Sequence, residues 1–509
     1  MSEPQSPAYP KAYESDEVMD SDDDIPEVNG PSIRHRPHPP ATSQGTYSFS
    51  VSGEIEELER YDKGGYHPVN LGDRLGDGAA GGRYRVLHKL GYGGFSTVWL
   101  CRDTQDHRYV AVKVFAGYAS RDNKRVSEAD LLAHLPNNSS QPGAEYIARP
   151  LDHFSLQGPN GTHQCIVLPV LGPRVSPSLW HEMETENDCG VILKKMCRQA
   201  TLGLSFLHEN GICHGDFRPA NILVNVDAEK LNRLSEDELY GLLGPPWVAE
   251  VFTESGAEVP DSTPKDLIYP ADLWKLRKFL TEEIRIVDFS ESFLMSSPPP
   301  NLGTPENYLP PEVLIWNLEL EKELASRTDD DGAGILSTAA AMAGNCPVGP
   351  ACDIWALGCT LFAIRNQVAL LYMIPEGDEM IAEMVEHFGK LPAQLWAKWD
   401  ARAEYFDEDD DGTIIPRTGQ EDDVTDDEGT IDPRTGQADD GCEKEGRLEH
   451  ALNDKHQIFK MYGSNPIKEF SIPKDEQKVL GDLLYKICVY NPEKRPTVQE
   501  ILSHEYFRT

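Results

Sequence analysis

Alternating apolar and polar positions between residues 83 and 115 predict three consecutive β-strands, in the segment RYRVLHKLGYGGFSTVWLCRDTQDHRYVAVKVF. Three glycines, Gly91, Gly93 and Gly94, fall in a hairpin between two of these strands. A dinucleotide fingerprint needs a helix after its glycines, so this turn does not fit one. The pattern is typical of a flexible hairpin folded over nucleotide phosphates, because missing side chains let backbone N–H groups approach. An ordinary tight turn is the alternative.

A single lysine interrupts the apolar strand VAVKVF. Lys113 alternates with Val and Ala, so its side chain faces inward, where a charge needs a partner. The stretch VSEADLLAHL predicts a helix that carries Glu128 one turn before its leucines. We therefore predict an ion pair between Lys113 and Glu128 that holds the ammonium toward phosphates. The alternative is that Glu128 only stabilises the helix N-terminus.

An amphipathic helix predicted at 191–209 leads into the string HGDFRPAN and then the apolar strand ILV. An aspartate five residues before an asparagine, on a loop between helix and strand, is the arrangement used for phosphoryl transfer. Asp216 would accept a hydroxyl proton and Asn221 would hold a metal ion. A capped turn with a satisfied aspartate is the alternative. Asp288 follows the apolar strand of IRIVDF and is the candidate ligand for magnesium, a cation that prefers oxygen.

Three further patterns extend this site. The buried strand THQCIVLPVLGPRV suits a link between two lobes, with backbone groups near Leu171 available to an adenine. The mostly apolar helix CDIWALGCTLFAI carries Asp353, which would fix the backbone of HGDFRPAN (214–221), called the catalytic loop below. Arg495 is the expected partner of Glu312 in a buried ion pair.

Composition narrows the class of partner. The 509-residue chain has a formal net charge of −38, which argues against nucleic acid because phosphate contacts need an excess of Lys and Arg. The charge favours a basic partner or reflects solvated acidic segments. Ten scattered cysteines without a CxxC pair indicate reduced thiols. We expect no signal peptide at MSEPQSPAYP and no membrane span, since no apolar run approaches 18 residues.

Four segments do not follow the periodic patterns. Residues 1–60 are rich in Pro, Ser, Asp and Glu and are predicted to be disordered. Residues 225–283 are predicted to be an insertion between two strands of the site, and 319–350 a low-complexity insertion. Residues 400–450 carry nineteen acidic against five basic side chains and the repeat DGTIIPRTGQ, EGTIDPRTGQ, and we expect disorder there as well. A calcium loop would need a regular alternation of oxygen ligands that is missing.

The motifs LGYGGFSTV, VAVK, HGDFRPAN, DFS, PPE, DIWALG and NPEKRPT, in this order, resemble a eukaryotic protein kinase. The strings YDKGGYHPVNLGD and NGTHQCIVLPVLG resemble the SR-protein kinase family in a fungal-type branch. The resemblance implies an α+β, two-lobed kinase fold, with a β-rich N-lobe at 61–173 and a helical C-lobe at 174–509. It also implies transfer of phosphate from ATP, with Mg2+, to serines of Arg/Ser-rich, splicing-factor-like proteins. We further expect a monomer of cytoplasm and nucleus that contacts neither nucleic acid nor membrane directly.

The resemblance also assigns roles to individual residues. Its catalytic residues are Asp216, Lys113, Arg218 and Glu128, and its magnesium ligands are Asn221 and Asp288. The residues expected to contact the nucleotide share the glycine-rich hairpin, the neighbouring strand or the lobe connection: Leu90, Gly91, Tyr92, Gly93, Gly94, Phe95, Ser96, Thr97, Val98, Ala111, Lys113 and Leu171.

Three residues depart from the usual kinase pattern. Gly215 stands where most kinases have an arginine that reads a phosphate on the activation loop, so we expect no control by phosphorylation there. Arg218 replaces a lysine and keeps the charge on a planar fork. Ser290 replaces the glycine of DFG and should restrict backbone rotation.

The substrate side departs as well. Glu379 and Glu386 match two positions of an acidic docking groove that grips arginines in the family, but the third falls at Asn366–Gln367, without a carboxylate. Arginines of the family's substrate loop are replaced by Glu306 and Leu309. Processive phosphorylation is therefore not expected to follow from the resemblance, although a basic substrate is still favoured.

Two other functions stay open from the sequence. The altered HGD and DFS strings are compatible with a pseudokinase that binds ATP or acts as a scaffold. The loop HGDFRPANIL also resembles that of aminoglycoside and choline kinases, although those folds lack the PPE glutamate, DIWALG and the NPEKRP arginine.

Overall fold

The structure is a computed structural model, and it describes residues 31–35, 55–77, 81–121, 128–136, 140–177, 179, 188–253, 258–325, 347–372, 377–409, 412–417, 447–453, 456–459 and 466–508.

The strands of this described part, in chain order, are β1 Pro31–His35, β2 Arg74–Leu75, β3 Tyr84–Gly93, β4 Ser96–Asp103, β5 Arg108–Phe115, β6 Asp152–Gly158, β7 Gly161–Pro169, β8 Leu171–Arg174, β9 Ile212–Cys213, β10 Ile222–Val226, β11 Val248–Thr253, β12 Asp266–Ile268, β13 Leu280–Ile286, β14 Phe293–Leu294, β15 Phe406–Glu408, β16 Ile414–Pro416, β17 His456–Phe459 and β18 Pro466–Phe470.

The α-helices, in the same order, are α1 Glu128–Ala133, α2 Cys189–Glu209, α3 Ala228–Asn232, α4 Glu236–Leu243, α5 Pro311–Ala325, α6 Pro350–Asn366, α7 Gly377–Phe388, α8 Ala393–Lys398, α9 Arg402–Tyr405, α10 Arg447–Asn453, α11 Lys474–Ile487 and α12 Val498–Leu502.

The N-terminal lobe is built on one antiparallel sheet with the strand order β2-β3-β4-β5-β7-β6. The three strands expected between residues 83 and 115 are its β3, β4 and β5. Val98 lies opposite Lys113, and the next pair, Trp99 and Val112, lies on the other face because side chains alternate along a strand. The face of Lys113 is called the cleft face below, and the face of Trp99 the outer face.

The C-terminal lobe is mainly helical and surrounds one large apolar core. Helix α2 buries Met196, Leu204 and Phe206, and helix α6 buries nearly its whole length, including Trp355. A helix buried along nearly its whole length packs on several sides, which places α6 inside the lobe, whereas the amphipathic α2 turns one apolar face toward it. The two-lobed α+β architecture inferred from the sequence is therefore confirmed.

A small sheet joins the lobes, with β10 between β8 and β13. Ile222 lies opposite Ile286 in it, so the loop before β10 and the loop after β13 leave the sheet side by side. This pairing brings Asn221 and Asp288 to the same end of the sheet, although 66 residues separate them in the sequence.

The insertion at 225–283 is folded, which the irregular pattern did not predict. Its helices α3 and α4, together with the 3-10 helix Leu273–Phe279, bury Leu231, Leu239 and Leu276 against Leu87 and Tyr109 of the N-lobe. Between α4 and this 3-10 helix, β11 pairs with β12 and with β1. Each apolar piece is too short to show a period by itself, and it becomes ordered by packing on the other lobe.

The expected boundaries of the other three segments also shift. Helix α5 continues through the expected insertion start at 319 as far as Ala325. Strand β16 lies in the first copy of the acidic repeat and pairs with β15, which precedes that copy, whereas the second copy lies outside the described residues. In the tail expected to be disordered, β1 forms and 55–60 is described, while its other residues lie outside the described part.

Within the described ranges, no helix combines the length and the apolarity needed to cross a lipid bilayer.

Candidate active site

The lysine of the cleft face has two carboxylate partners. Lys113 Nζ donates to Glu128 Oε2 at 2.7 Å, which is the ion pair expected from the sequence. It also donates to Asp288 Oδ1 at 2.7 Å. Burial acts to lower the pKa of Lys113, but Asp288 and Glu128 outweigh it and the pKa is raised. The ammonium is therefore held charged at the base of the cleft, between the two lobes.

Asp288 is fixed in an uncommon backbone conformation. Its φ is 62°, in the left-handed region that non-glycine residues rarely adopt. Ser290 Oγ donates to Asp288 Oδ1 at 2.8 Å, so the residue that replaces the DFG glycine holds the carboxylate in place. Desolvation acts to raise the pKa of Asp288, yet Lys113 and Ser290 outweigh it and the pKa is lowered. Asp288 is thus a carboxylate at neutral pH, as a metal ligand must be.

Asp216 is held by two neighbours of its own loop. Arg218 Nε donates to both carboxylate oxygens, at 2.9 Å and 3.0 Å. Asn221 Nδ2 donates to Asp216 Oδ2 at 2.7 Å and to the Asp216 carbonyl at 2.9 Å. Burial raises the pKa of Asp216, and the opposing effect of Arg218 does not cancel it. A carboxylate with a raised pKa is a better proton acceptor than an ordinary aspartate.

The backbone of this loop is anchored on Asp353, as the sequence indicated. Asp353 accepts hydrogen bonds from the N–H groups of His214 and Gly215 at 2.7 Å and 2.9 Å. His208 Nε2 lies 2.9 Å from the same carboxylate. Thr360 Oγ1, also on α6, donates to the Phe217 carbonyl at 3.0 Å. The central helix of the C-lobe therefore sets the position of the catalytic loop.

Gly215 cannot be replaced by a residue with a side chain without movement of the backbone. Its φ is 78°, and a Cβ there would lie 2.2 Å from the carbonyl oxygen of Glu291. Around it, the segment after Asp288 is tied directly to the catalytic loop. Ser292 Oγ donates to the His214 carbonyl at 2.6 Å, and Thr304 Oγ1 donates to the Gly215 carbonyl. These hydroxyl contacts connect the two segments without a phosphate-reading arginine.

The expected pair of Glu312 and Arg495 is present. Arg495 donates to both carboxylate oxygens at 2.6 Å and 2.8 Å, and its guanidinium lies over the Trp355 ring. Both side chains are buried, so the bidentate geometry matters for stability. The pair fixes the start of α5. This helix directly follows the segment that carries Glu306 and Leu309, which is called the substrate-side loop below.

The residues expected to contact a nucleotide lie in the glycine hairpin and the strands beside it. Val98, Ala111 and Lys113 are on the cleft face, whereas Tyr92 and Thr97 are on the outer face. Gly93, Gly94 and Phe95 are exposed at the tip of the hairpin, whereas Thr97 and Ala111 are buried in the sheet. The remaining members, Leu90, Gly91, Tyr92, Ser96, Val98 and Lys113, continue β3, β4 and β5, and Leu171 is buried where β8 begins. Their contacts with a nucleotide stay predictions.

The arrangement of these side chains fits a magnesium ion and a nucleoside triphosphate. Because Asn221 Nδ2 is engaged by Asp216, the amide oxygen is the atom left for a cation, beside the carboxylate of Asp288. Oxygen ligands are the ones that magnesium prefers. A Cβ added to Gly91, Gly93 or Gly94 would meet no atom within 4 Å, so the hairpin leaves open space next to its backbone. Lys113 supplies a positive charge for phosphate oxygens.

Sequence reasoning missed several contacts that hold the site. Asp288 as second partner of Lys113, and Ser292 and Thr304 as supports of the catalytic loop, were not foreseen. Hydroxyl side chains are common in loops. The sequence positions of Ser292 and Thr304 therefore do not predict which backbone carbonyl each will contact.

Comparison with known proteins agrees with this geometry. A family model described as "Protein kinase domain" matches residues 84–235. The chain is similar to SRSF protein kinase 3 of Homo sapiens, with 37% identity over 215 residues, or 42% of this chain and 36% of that protein. It is also similar to Serine/threonine-protein kinase SKY1 of Saccharomyces cerevisiae, with 35% identity over 187 residues, or 36% of this chain and 24% of that protein.

A third relative is Serine/threonine-protein kinase spk-1 of Caenorhabditis elegans, with 36% identity over 191 residues, or 36% of this chain and 18% of that protein. The alignments thus span less than half the length of these curated relatives. In fold and motif geometry the described chain is similar to a protein kinase domain, and the family model matches its residues 84–235. Within that class, the chain is similar to SRSF protein kinase 3 and to SKY1.

Proposed function

We propose that the chain is an active serine/threonine protein kinase that phosphorylates serines in basic, Arg/Ser-rich proteins, with ATP and Mg2+. The observation that carries the proposal is the complete polar set of the cleft. Lys113 pairs with Glu128 and Asp288, and Asp216 is held by Arg218 and Asn221. A protein that had lost phosphoryl transfer would not need to keep each of these contacts.

Asp216 is placed to accept the proton of a substrate hydroxyl. As the serine oxygen bonds to the terminal phosphorus, the bond from that phosphorus to the leaving diphosphate breaks and the hydroxyl proton passes to a carboxylate oxygen. Arg218 contacts the same carboxylate and keeps a positive charge beside the transferring group. Asn221 restricts the Asp216 side chain to one orientation.

Lys113 and Asp288 act on the nucleotide side. Lys113 would orient phosphate oxygens while Glu128 holds the ammonium in place. Asp288 and Asn221 would bind Mg2+, which neutralises charge on the phosphates when bound. The direct ties of Ser292 and Thr304 to the catalytic loop support activity without phosphorylation of the segment after Asp288.

Acidic side chains near the substrate-side loop support a basic substrate. Burial, with help from nearby Glu321, raises the pKa of Glu306, so a substrate cation would relieve this repulsion. Leu309 is buried at 2% exposure and is not available to a substrate. Glu379 and Glu386 are half-buried on α7 and are the docking positions that we propose. Asn366 and Gln367 instead donate to backbone carbonyls of the C-lobe.

The name of one relative supports the substrate class. SRSF protein kinase 3 carries the splicing-factor designation in its name. For such a substrate we propose a kinase that acts as a monomer in the cytoplasm and nucleus. A protein substrate, and not nucleic acid or membrane, also agrees with the net charge of −38.

Phosphate transfer from radiolabelled ATP to an Arg-Ser repeat peptide tests the proposal against two matched peptides, one with Glu in place of Arg and one with Thr in place of Ser. We expect the highest kcat/KM for the Arg-Ser peptide. Equal rates for the Glu-Ser peptide would contradict the basic substrate class. ATP-dependent thermal stabilisation without turnover of any protein would favour the pseudokinase, and label in choline or an aminoglycoside alone would favour a small-molecule kinase.

A further inference from the structure

The segment 55–67, called the strap below, lies across the N-lobe before its first long strand. Glu56 of the strap forms an ion pair with Lys89 of β3. Lys89 lies opposite Trp99, which lies opposite Val112, so all three occupy the outer face of the sheet. Because Lys113 occupies the opposite face, the strap covers the sheet on the side away from the nucleotide cleft.

The strap is held in place by a buried amide. Asn160, at the turn between β6 and β7, is 1% exposed. Its Nδ2 lies within hydrogen-bond distance of the carbonyls of Tyr61 at 2.9 Å and Tyr66 at 2.7 Å. The same nitrogen lies 2.7 Å from the Ser262 carbonyl in the folded insertion. These contacts fix the strap to the N-lobe.

Donors from the strap and its surroundings converge on the tip of the glycine hairpin. Tyr66 donates its hydroxyl to the Gly93 carbonyl, and Tyr118, just after β5, donates its hydroxyl to the Gly94 carbonyl. Arg60 Nη1 also donates to the Gly94 carbonyl, at 3.3 Å. Side chains therefore form hydrogen bonds to the carbonyl oxygens of two consecutive peptide groups at the tip.

These hydrogen bonds determine the direction of the amide hydrogens of the same two peptide groups. In a trans peptide the C=O and the following N–H point in opposite directions. Because the carbonyls of Gly93 and Gly94 are bonded to the strap and Tyr118, the N–H groups of Gly94 and Phe95 point away from them. The strap covers the outer face, so the direction away from it is toward the cleft, where phosphate oxygens would be bound.

We propose that Tyr66 is a positioning residue for phosphoryl transfer, which acts by fixing the glycine-rich hairpin so that its tip N–H groups face the phosphates. Arg60 and Tyr118 assist it through the next carbonyl. The inference rests on the proposed kinase function and adds a positioning role to a segment that contacts neither substrate nor metal. Preorganised N–H donors contribute to transition-state stabilisation because they need no reorientation when charge develops.

The test compares Tyr66→Phe with Tyr61→Phe in the full chain. Tyr61 is the matched control, because it belongs to the same strap and its ring contacts that of Tyr66, but its hydroxyl donates to Glu56 at 2.6 Å. For Tyr66→Phe we expect kcat/KM for ATP to fall about 3- to 10-fold, the range that one lost hydrogen bond produces. KM for the peptide should stay unchanged. Tyr61→Phe should lower the melting temperature and leave KM for ATP unchanged.

A double variant and a binding measurement separate the possible outcomes. Tyr66→Phe/Tyr118→Phe should weaken ATP binding further than either single change, as measured by titration with the nucleotide. If Tyr66→Phe matches the wild type in KM for ATP, kcat and ATP affinity, the positioning role is wrong while the kinase function stands. If the wild type binds no ATP, the proposed function fails first. A fall in melting temperature alone, equal in both single variants, would show a purely structural strap and overturn the inference.

Discussion

Two buried lysines on opposite faces of one sheet behave in opposite ways. Lys113 on the cleft face contacts two carboxylates, and its pKa is raised despite burial. Among the described residues, Lys89 on the outer face forms an ion pair with Glu56 alone, and burial lowers its pKa although Glu56 opposes the shift. Lys89 also lies near the rings of Trp99 and Tyr92. One carboxylate does not compensate for full desolvation, whereas two do.

The difference separates a functional from a structural ion pair. Lys113 is 6% exposed and opens onto the cleft, so its charge is available to a ligand. Lys89 is fully buried, so its charge can only tie the strap to the sheet. Buried ion pairs contribute little net stability, but removal of one partner leaves an uncompensated charge. The two sites should therefore respond to mutation through different observables.

Between the two lysines, the largest expected effect is on the cleft face. Lys113→Met removes the cation that would orient phosphates, and we expect kcat to fall by about 10²–10³-fold, as for other lost electrostatic contacts. The matched change on the outer face, Lys89→Met, should leave kcat within about 3-fold of the wild type at a temperature where both are folded. A comparable loss of kcat in both variants would remove the distinction.

The next effect is on stability and falls on the outer face. Lys89→Met leaves Glu56 buried without its cation, and we expect the free energy of unfolding to drop by about 3–5 kcal/mol. Denaturant titration measures the drop, with the surface variant Lys230→Met as control because Lys230 is largely exposed. A loss below about 1 kcal/mol would show that the ion pair of Lys89 and Glu56 contributes little to the stability of the fold.

A double-mutant cycle sharpens the same comparison. Glu56→Gln keeps an acceptor for the Tyr61 hydroxyl but removes the charge. Combined with Lys89→Met, it should cost about 0.5–3 kcal/mol less than the sum of the two single changes, because no unpaired charge is left. Additive losses, measured by the same denaturant titrations, would mean that the two side chains do not interact energetically.

These contacts show what sequence patterns reveal and what they leave out. The alternation around Lys113 and the helix position of Glu128 predicted an ion pair that the structure contains. The role of Glu56 was hidden, because the acidic composition of residues 1–60 predicts disorder, and a single buried carboxylate has no periodicity. Asp288 as a second partner was hidden by its separation of 175 residues from Lys113.

The fold shows the same limit. Long periodic segments such as α2 and β3 to β5 were predicted because each carries enough apolar positions to define a face. The insertion at 225–283 was predicted as irregular, since its strands β11 and β12 are short. Their order depends on packing against the other lobe, which local sequence does not encode.

The smallest expected effect is a shift in pH dependence. A general base works when deprotonated, so activity is lost as pH falls through the pKa of Asp216, which burial raises above 3.8. Arg218 opposes that rise. Arg218→Met should therefore move the acidic limb of the pH profile of kcat/KM to higher pH, whereas Arg218→Lys should move it less. A limb that stays in place, or moves to lower pH, would contradict the pairing.

The central claim is that Asp216 transfers a proton during phosphate transfer to serine. Its most direct test is the single-turnover rate of phosphate transfer from ATP to an Arg-Ser peptide, in wild type and Asp216→Ala, with equal folding and ATP binding shown for both. The account predicts that the variant binds ATP and transfers phosphate about 10²–10⁴-fold more slowly. Equal rates in the two proteins would contradict it.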